Sequence, residues 1–276
     1  MTFEKEYKGK IMKKKLITIL MIICIVVAVG CGGYLAYYYI VSARSEGAVD
    51  QLREQITDNS VDSDNDPGTK NSNMVEVNGV SVQKKYAALY RENPDFVGWL
   101  TIADTHIDYP VMYTPAPKED GEYYIHRNFE GDYSAAGLPF IDSNCQIEPA
   151  TDNVIIYGHN MNAGTMFHDL LQYEDKDFYE NHKTFTFDTI YEDGKYEVVA
   201  CFRGQILPED SNAFKYYEFV NAGSEEEFLA YVDEIKSMSI VDTGVDVQYG
   251  DKLITLSTCA YHVTDGRFAV VAKRIQ

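Results

Sequence analysis

Three side chains of different chemistry lie at the ends of apolar, β-branched runs in this sequence. Cys259 lies three positions after the run Leu253–Leu256, Arg267 opens the run Phe268–Ala272, and His159 comes just after the run Val154–Tyr157 far upstream. Short runs of this kind are typical of buried strands. A thiol, an imidazole and a guanidinium are together the groups needed for acyl transfer through a cysteine. The thiolate attacks, the imidazolium protonates the leaving amine, and the fixed cation stabilises the oxyanion.

Each of these residues also has a simpler interpretation. A cysteine after an apolar run is more often a small buried hydrophobe, and an arginine at the start of a strand is more often a surface cation. A lone histidine is more often structural, and five others compete with His159: His106, His126, His168, His182 and His262. We favour His159 because it follows Tyr157-Gly158 at the end of a strand, and we expect His262 only to border the groove.

Longer strings around these residues resemble one family. The pentapeptide Thr255–Cys259 (TLSTC), the arginine that follows it and the string Tyr157-Gly158-His159 resemble the sortases, the membrane-anchored cysteine transpeptidases of Gram-positive bacteria. Further strings resemble class B in particular: Asn93–Leu100 (NPDFVGWL), Asn128–Glu130, Gly158–Met161 and Thr165–Phe167. The resemblance covers about residues 82–276. The combination is specific, whereas any one string alone would be weak.

The resemblance implies a mechanism and a set of partners. Cys259 would attack a threonyl carbonyl in the C-terminal sorting motif of a surface protein, and a cell-wall peptide amine would resolve the thioester. His159 would act as general acid and then as general base. Arg267 would clamp the substrate carbonyl with a donor fork that lysine cannot reproduce. The resemblance also places Ile125 beside the sorting signal, and Ser257 and Thr258 flank the nucleophile in the expected peptide groove.

The fold expected for the C-terminal part is mainly β, a closed sortase-type β-barrel with peripheral helices. Strands are predicted at 97–102, 111–113, 138–141, 154–157, 184–188, 196–202, 252–257 and 267–273. Helices are predicted at 83–92, 166–171, 177–180 and 224–238. The last begins with a serine followed by a glutamate three residues later, which is the pattern of a capping box.

The N-terminal part predicts a membrane anchor. Residues 16–41 carry no charge and are long enough to cross a bilayer as a helix. Lys13, Lys14 and Lys15 precede them, so the positive-inside rule places residues 1–15 in the cytoplasm and the rest outside. Two alternatives are a cleaved signal peptide and a lipoprotein with Cys31 as its lipid-bearing residue. The length of the apolar run disfavours both.

Residues 42–79 form a polar, acidic stalk in this interpretation, and the catalytic domain spans 80–276. Asp62, Asp64 and Asp66 alternate as in a calcium loop, but the glycine falls late and no glutamate closes the loop, so we interpret the segment as a spacer. No His/Cys pair has the spacing of a zinc site. The reaction itself requires no cofactor, and the sequence predicts no metal.

The charge and the cysteine content of the chain limit the functions that the protein can have. The chain carries 24 basic and 43 acidic residues, and six of the lysines lie within the first 15 positions. The acidic remainder excludes nucleic-acid binding, which needs a basic surface. Three cysteines follow the anchor, and an odd number outside the cell indicates a free thiol. Cys145 and Cys201 are interpreted as buried and reduced, with a disulfide between them as the alternative.

Two other functions fit parts of the pattern. One is an extracytoplasmic cysteine peptidase that only hydrolyses, although papain-like enzymes place the cysteine before the histidine and here the order is reversed. The other is a catalytically idle barrel that serves as a surface-binding module. The presence of all three chemical groups favours the transpeptidase over both.

Overall fold

Helix α1 (Thr2–Ser63) is the first element of the computed structural model, which describes residues 2–63, 73–114 and 121–276. The chain divides into two compact units, Met1–Glu46 and Gly47–Gln276. Within the described residues, α1 is the one helix long and apolar enough to cross a membrane, over Ile17–Ile56. The assignment of residues 16–41 as a membrane anchor stays a prediction.

The last part of α1 belongs to the second unit. Val49 and Leu52 are buried in the same core as the barrel residues. Beside them, Arg53 Nε lies 2.6 Å from Asp108 Oδ2. The second compact unit therefore begins at Gly47, and the start of the catalytic domain at residue 80 stays a prediction. Within the predicted stalk, which includes the spacer around Asp62–Asp66, residues 57–63 are helical and residues 64–72 lie outside the described residues.

A hairpin precedes a closed eight-stranded barrel. The hairpin strands are β1 (Met74–Val77) and β2 (Val80–Gln83). The barrel strands are β3 (Phe96–Thr101), β4 (Asp108–Met112), β5 (Phe140–Ile141), β6 (Asn153–Tyr157), β7 (Thr184–Thr189), β8 (Lys195–Gln205), β9 (Leu253–Cys259) and β10 (Gly266–Arg274). Their order around the barrel is β10-β8-β7-β3-β4-β5-β6-β9. Pairs β4–β5 and β6–β9 are parallel and the others antiparallel. The predicted closed barrel is confirmed.

The helices lie between strands. They are α2 (Ala87–Glu92), α3 (Lys176–Asn181) and α4 (Glu225–Met238), with 3-10 helices at Lys84–Tyr86, Tyr123–His126, Phe167–Glu174 and Tyr216–Glu218. Ser224 caps α4 as predicted, because its side chain accepts a hydrogen bond from the Glu227 N–H. The helix predicted at 166–171 is a 3-10 helix that begins one residue later, after Met166 with its positive φ of 57°.

Helix α4 explains why β9 and β10 are apolar without alternation. Side chains of successive strand residues point to opposite faces. Ile254, Leu256 and Val270 belong to the barrel core, whereas Leu253 and Val271 belong to a second core that includes residues of α4. Both faces of these two strands are therefore covered by packed side chains. The strands form a rigid support for Cys259, at the end of β9, and for Arg267, near the start of β10.

Candidate active site

Strand register brings the three predicted catalytic side chains together. Strands β6 and β9 run parallel with Tyr157 opposite Ser257, so the residues that follow them emerge at the same edge of the barrel. His159 and Cys259 each lie two positions further on. On the other side of β9, Cys259 is the antiparallel partner of Arg267. Two pairings thus place thiol, imidazole and guanidinium side by side, although they are distant in sequence.

These side chains line one cavity of about 420 Å³. All six residues that the sequence predicts for the site lie along it: Ile125, His159, Ser257, Thr258, Cys259 and Arg267. Ile206 and Tyr217, at the two ends of the loop that follows β8, line it as well. The acidic side chains Glu122 and Asp142 also line the cavity, and no motif of the sequence predicts them there. His262 is exposed and does not line it.

The imidazole of His159 is oriented by a backbone carbonyl. Its Nε2 lies 2.8 Å from the Ile125 carbonyl oxygen. Because a carbonyl only accepts hydrogen bonds, Nε2 must carry the hydrogen, and Nδ1 is the nitrogen that can exchange a proton. Gly137 makes this arrangement possible: its φ is +58°, and a Cβ there would lie 2.3 Å from the Ile125 oxygen. A carbonyl contact has no side-chain signature, so sequence reasoning missed its role.

Burial is the main cause that lowers the pKa of His159 below its ordinary value. The hydrogen bond to the Ile125 carbonyl raises the pKa, and the nearby His126 lowers it further. The two imidazole rings are stacked, with centroids 5.2 Å apart and planes inclined by 22°. At neutral pH the imidazole is therefore mainly neutral, and the imidazolium becomes more populated as the pH falls.

Replacing His126 by alanine is expected to raise the pKa of His159, because a positive charge no longer opposes its protonation. The midpoint of the His159 proton NMR titration should move to higher pH, so that the imidazolium persists further towards neutrality. His126→Arg is the matched variant, since it keeps a permanent cation beside the ring and should move the midpoint to lower pH. Equal midpoints in both variants would contradict this electrostatic coupling.

Cys259 differs from the other cysteines of the second unit. It is partly exposed, and among the described residues its sulfur has no hydrogen-bond partner. Cys145 and Cys201 are free but buried, as the favoured interpretation of the sequence expects. Burial raises the pKa of Cys145 to about 12 and that of Cys201 to about 11. Cys259 is thus the one thiol of the described second unit that a substrate in the cavity can reach.

Arg267 faces the cavity without a carboxylate partner. Its Nη1 donates to the Gly266 carbonyl at 3.1 Å, and no carboxylate of the described residues lies within 4.0 Å of its guanidinium. The side chain is partly buried. A guanidinium held in this way keeps most of its donors for a bound oxygen.

Ser257 and Thr258 lie in the wall of the cavity, and their hydroxyls are already engaged. The Ser257 hydroxyl lies 2.8 Å from the Tyr216 hydroxyl, and Thr258 Oγ1 donates to the Gly158 carbonyl at 2.7 Å. Gly158 packs so closely that a Cβ would lie 2.7 Å from the Phe167 ring. These contacts fix the shape of the wall beside the nucleophile. Ile125 is partly buried and offers its side chain to the cavity.

Comparison with known proteins gives one family. No family model matches the chain. Sortase B of Listeria monocytogenes is 37% identical over 191 residues, which is 69% of this chain and 73% of that protein. Sortase B of Staphylococcus aureus is 27% identical over 265 residues, which is 95% of this chain and 98% of that protein.

Solved structures agree with these sequence relatives. The Staphylococcus aureus sortase B–substrate complex matches with a TM-score of 0.70 and 25% identity, covering 85% of this chain and 98% of that one. Sortase B from Listeria monocytogenes matches with a TM-score of 0.58 and 36% identity, covering 67% and 97%. The resemblance seen in the sequence motifs is confirmed: the chain belongs to the sortase B family and is a sortase-type cysteine transpeptidase.

Proposed function

We propose that this protein cleaves a C-terminal sorting motif after threonine through a thioester on Cys259, and transfers the protein to a cell-wall peptide amine. The observation that carries the proposal is the meeting of Cys259, His159 and Arg267 in one cavity at the ends of three strands. Two similar structures support it: a Staphylococcus aureus sortase B with its substrate, and a sortase B complexed with triglycine.

The first half-reaction forms the thioester. The Cys259 thiolate attacks the threonyl carbonyl carbon, and the carbonyl electron pair moves onto oxygen, where the Arg267 guanidinium stabilises the charge. When the intermediate collapses, the C–N bond breaks and the leaving nitrogen takes a proton from His159 Nδ1. The Nε2–H···O=C bond to Ile125 keeps the ring in position throughout and leaves Nδ1 as the nitrogen that transfers the proton. The products are the acylated Cys259 and a free C-terminal peptide.

The second half-reaction returns the enzyme to its starting state. His159, now neutral, accepts a proton from the incoming amine as the amine nitrogen attacks the thioester carbonyl. A new C–N bond forms, the C–S bond breaks, and the thiolate and imidazolium are restored. The lowered pKa of His159 suits this step, because a neutral imidazole is the form that accepts the proton.

The protein is proposed to act at the outer face of the cell membrane. The apolar part of α1 would span the bilayer, with Lys13–Lys15 on the cytoplasmic side and the barrel outside. In that location its substrates are surface proteins that carry a sorting signal, and its acceptor is an amine of the cell-wall peptide or its precursor. Neither step uses a cofactor.

The test uses the full-length protein in detergent micelles and a library of peptides with Thr-Gly or Thr-Asn at the scissile bond. Mass spectrometry follows the products with and without triglycine or a diamino acid. Cleavage after threonine together with an amine adduct is the expected result. Cleavage that yields only the free acid with every amine would replace transfer by hydrolysis. Absence of both cleavage and thiol labelling of Cys259 would favour an idle barrel.

A further inference from the structure

We propose that Asn160 is a positioning residue that holds the backbone of Cys259, and that His168 holds Asn160 in the required orientation. The inference rests on the proposed function, in which Cys259 is the nucleophile. It concerns the residue directly after His159 in the sequence. One short loop would therefore set the positions of both the imidazole and the thiol.

The contacts form a chain of two hydrogen bonds. Asn160 Nδ2 donates to the Cys259 carbonyl oxygen at 2.9 Å, and Asn160 Oδ1 lies 2.7 Å from His168 Nδ1. Since the Cys259 carbonyl only accepts, the Asn160 amide has one possible orientation, with its oxygen towards His168. His168 must therefore carry its hydrogen on Nδ1 and donate it. Both ends of the amide are engaged, so its rotation is restricted.

The position of Asn160 continues the β6–β9 ladder beyond the end of β6. Bonds in a parallel ladder are evenly spaced. Gly158 N–H donates to the Ser257 carbonyl at 3.1 Å, so the next acceptor on β9 is the Cys259 carbonyl. At that point it is the side chain of Asn160 that donates. The side-chain amide of Asn160 therefore makes the hydrogen bond that a backbone N–H would make if the ladder continued. This hydrogen bond is made to the nucleophile residue itself.

The loop that carries Asn160 is itself closed and rigid. Phe167 N–H donates to the His159 carbonyl at 2.8 Å, and Asn160 forms an isolated β-bridge with Met166. Met166 has a positive φ of 57°, is buried, and donates its N–H to the Tyr109 hydroxyl at 3.0 Å. A loop fixed at both ends can hold a reacting group to the precision that catalysis requires.

Asn160→Ala is expected to lower kcat for peptide cleavage about tenfold, the loss that corresponds to one hydrogen bond of about 1.4 kcal/mol, with KM unchanged. Alkylation of Cys259 by iodoacetamide should keep its rate, because a small reagent does not need the thiol at a defined position. His168→Ala should lower kcat to the same extent, and the double variant should be no slower than Asn160→Ala. His168→Gln retains a donor and should restore most of the activity.

Asn162→Ala is the matched control, since Asn162 is an exposed asparagine of the same loop; it should behave as the unaltered full-length protein. If Asn160 were only structural, its variant would show a lower Tm and iodoacetamide labelling of the buried Cys145 and Cys201. That result would overturn the inference, as would an unchanged kcat or additive losses in the double variant. If the unaltered protein fails to cleave, the proposed function fails and this inference with it; if it cleaves and Asn160→Ala does so equally fast, only the inference fails.

Discussion

Replacing Cys259 by alanine is expected to lower the rate of cleavage after threonine by at least about 10³-fold, the scale on which removal of a covalent nucleophile acts. No other described thiol of the second unit can substitute, because Cys145 and Cys201 are buried and burial raises the pKa of each. The measurement is the initial rate of product formation by mass spectrometry, together with a search for a thioester adduct on the full-length protein.

Cys145→Ala serves as the control for Cys259→Ala. It removes a thiol of the same unit that lies outside the cavity, and it should keep the cleavage rate of the unaltered protein under conditions where it remains folded. An adduct that persists in Cys259→Ala, on any other side chain, would contradict the assignment of the nucleophile. Circular dichroism of Cys259→Ala should match that of the unaltered protein, because the side chain is only partly buried.

Arg267→Lys is expected to lower kcat about 10²-fold, a loss typical of removing one donor to an oxyanion. A lysine keeps the positive charge, but its single ammonium group cannot replace the planar fork of the guanidinium. Since no described carboxylate pairs with Arg267, its loss leaves no buried anion behind, and stability should change little. Steady-state kinetics of full-length Arg267→Lys on the peptide that the unaltered protein cleaves would measure the effect.

The control for Arg267→Lys is Arg203→Lys on neighbouring β8. Arg203 is paired with Glu174 at 2.7 Å and does not line the cavity, so the rate should be unaffected. A rise in KM with unchanged kcat in Arg267→Lys would show that this arginine binds the ground state and the transition state equally. That outcome would reassign it from oxyanion stabilisation to peptide binding.

Much of the barrel could be predicted because its strands are short, apolar and separated by turns. Strands β9 and β10 were readily predicted, since both of their faces are covered and the apolar runs are continuous. Cys259, His159 and Arg267 could be proposed from residue type and strand ends together with the family motifs. Their convergence follows from pairing that the sequence does not display, namely β6 parallel to β9 and antiparallel β9–β10.

Other parts of the site had no signal in the sequence. The Ile125 carbonyl orients His159, but every residue has a carbonyl, so this contact leaves no pattern in the sequence. The close approach of Ile125 requires a glycine at position 137, and in the sequence that glycine resembles one in an ordinary turn. The contact between Asn160 and Cys259 joins segments distant in the chain. At the end of α1, Val49 and Leu52 are buried and Ile56 packs against the same core, and three apolar residues in a polar segment are too few to indicate a buried face from the sequence.

Strand β10 pairs with both β8 and β9, so the barrel is closed by the strand that comes last in chain order. A chain that lacks this strand would still contain Cys259 and His159, but it would lack Arg267 and leave two strand edges open. The acyl-transfer machinery therefore comes into existence only when β10 has been made and folded back. In the proposed topology the N-terminus stays in the cytoplasm and the barrel is exported behind the anchor, so β10 is the last strand to cross the membrane and full activity is expected only after it has crossed. Before β10 is in place the cavity lacks Arg267, so acylation of Cys259 by another exported protein is expected to be slow.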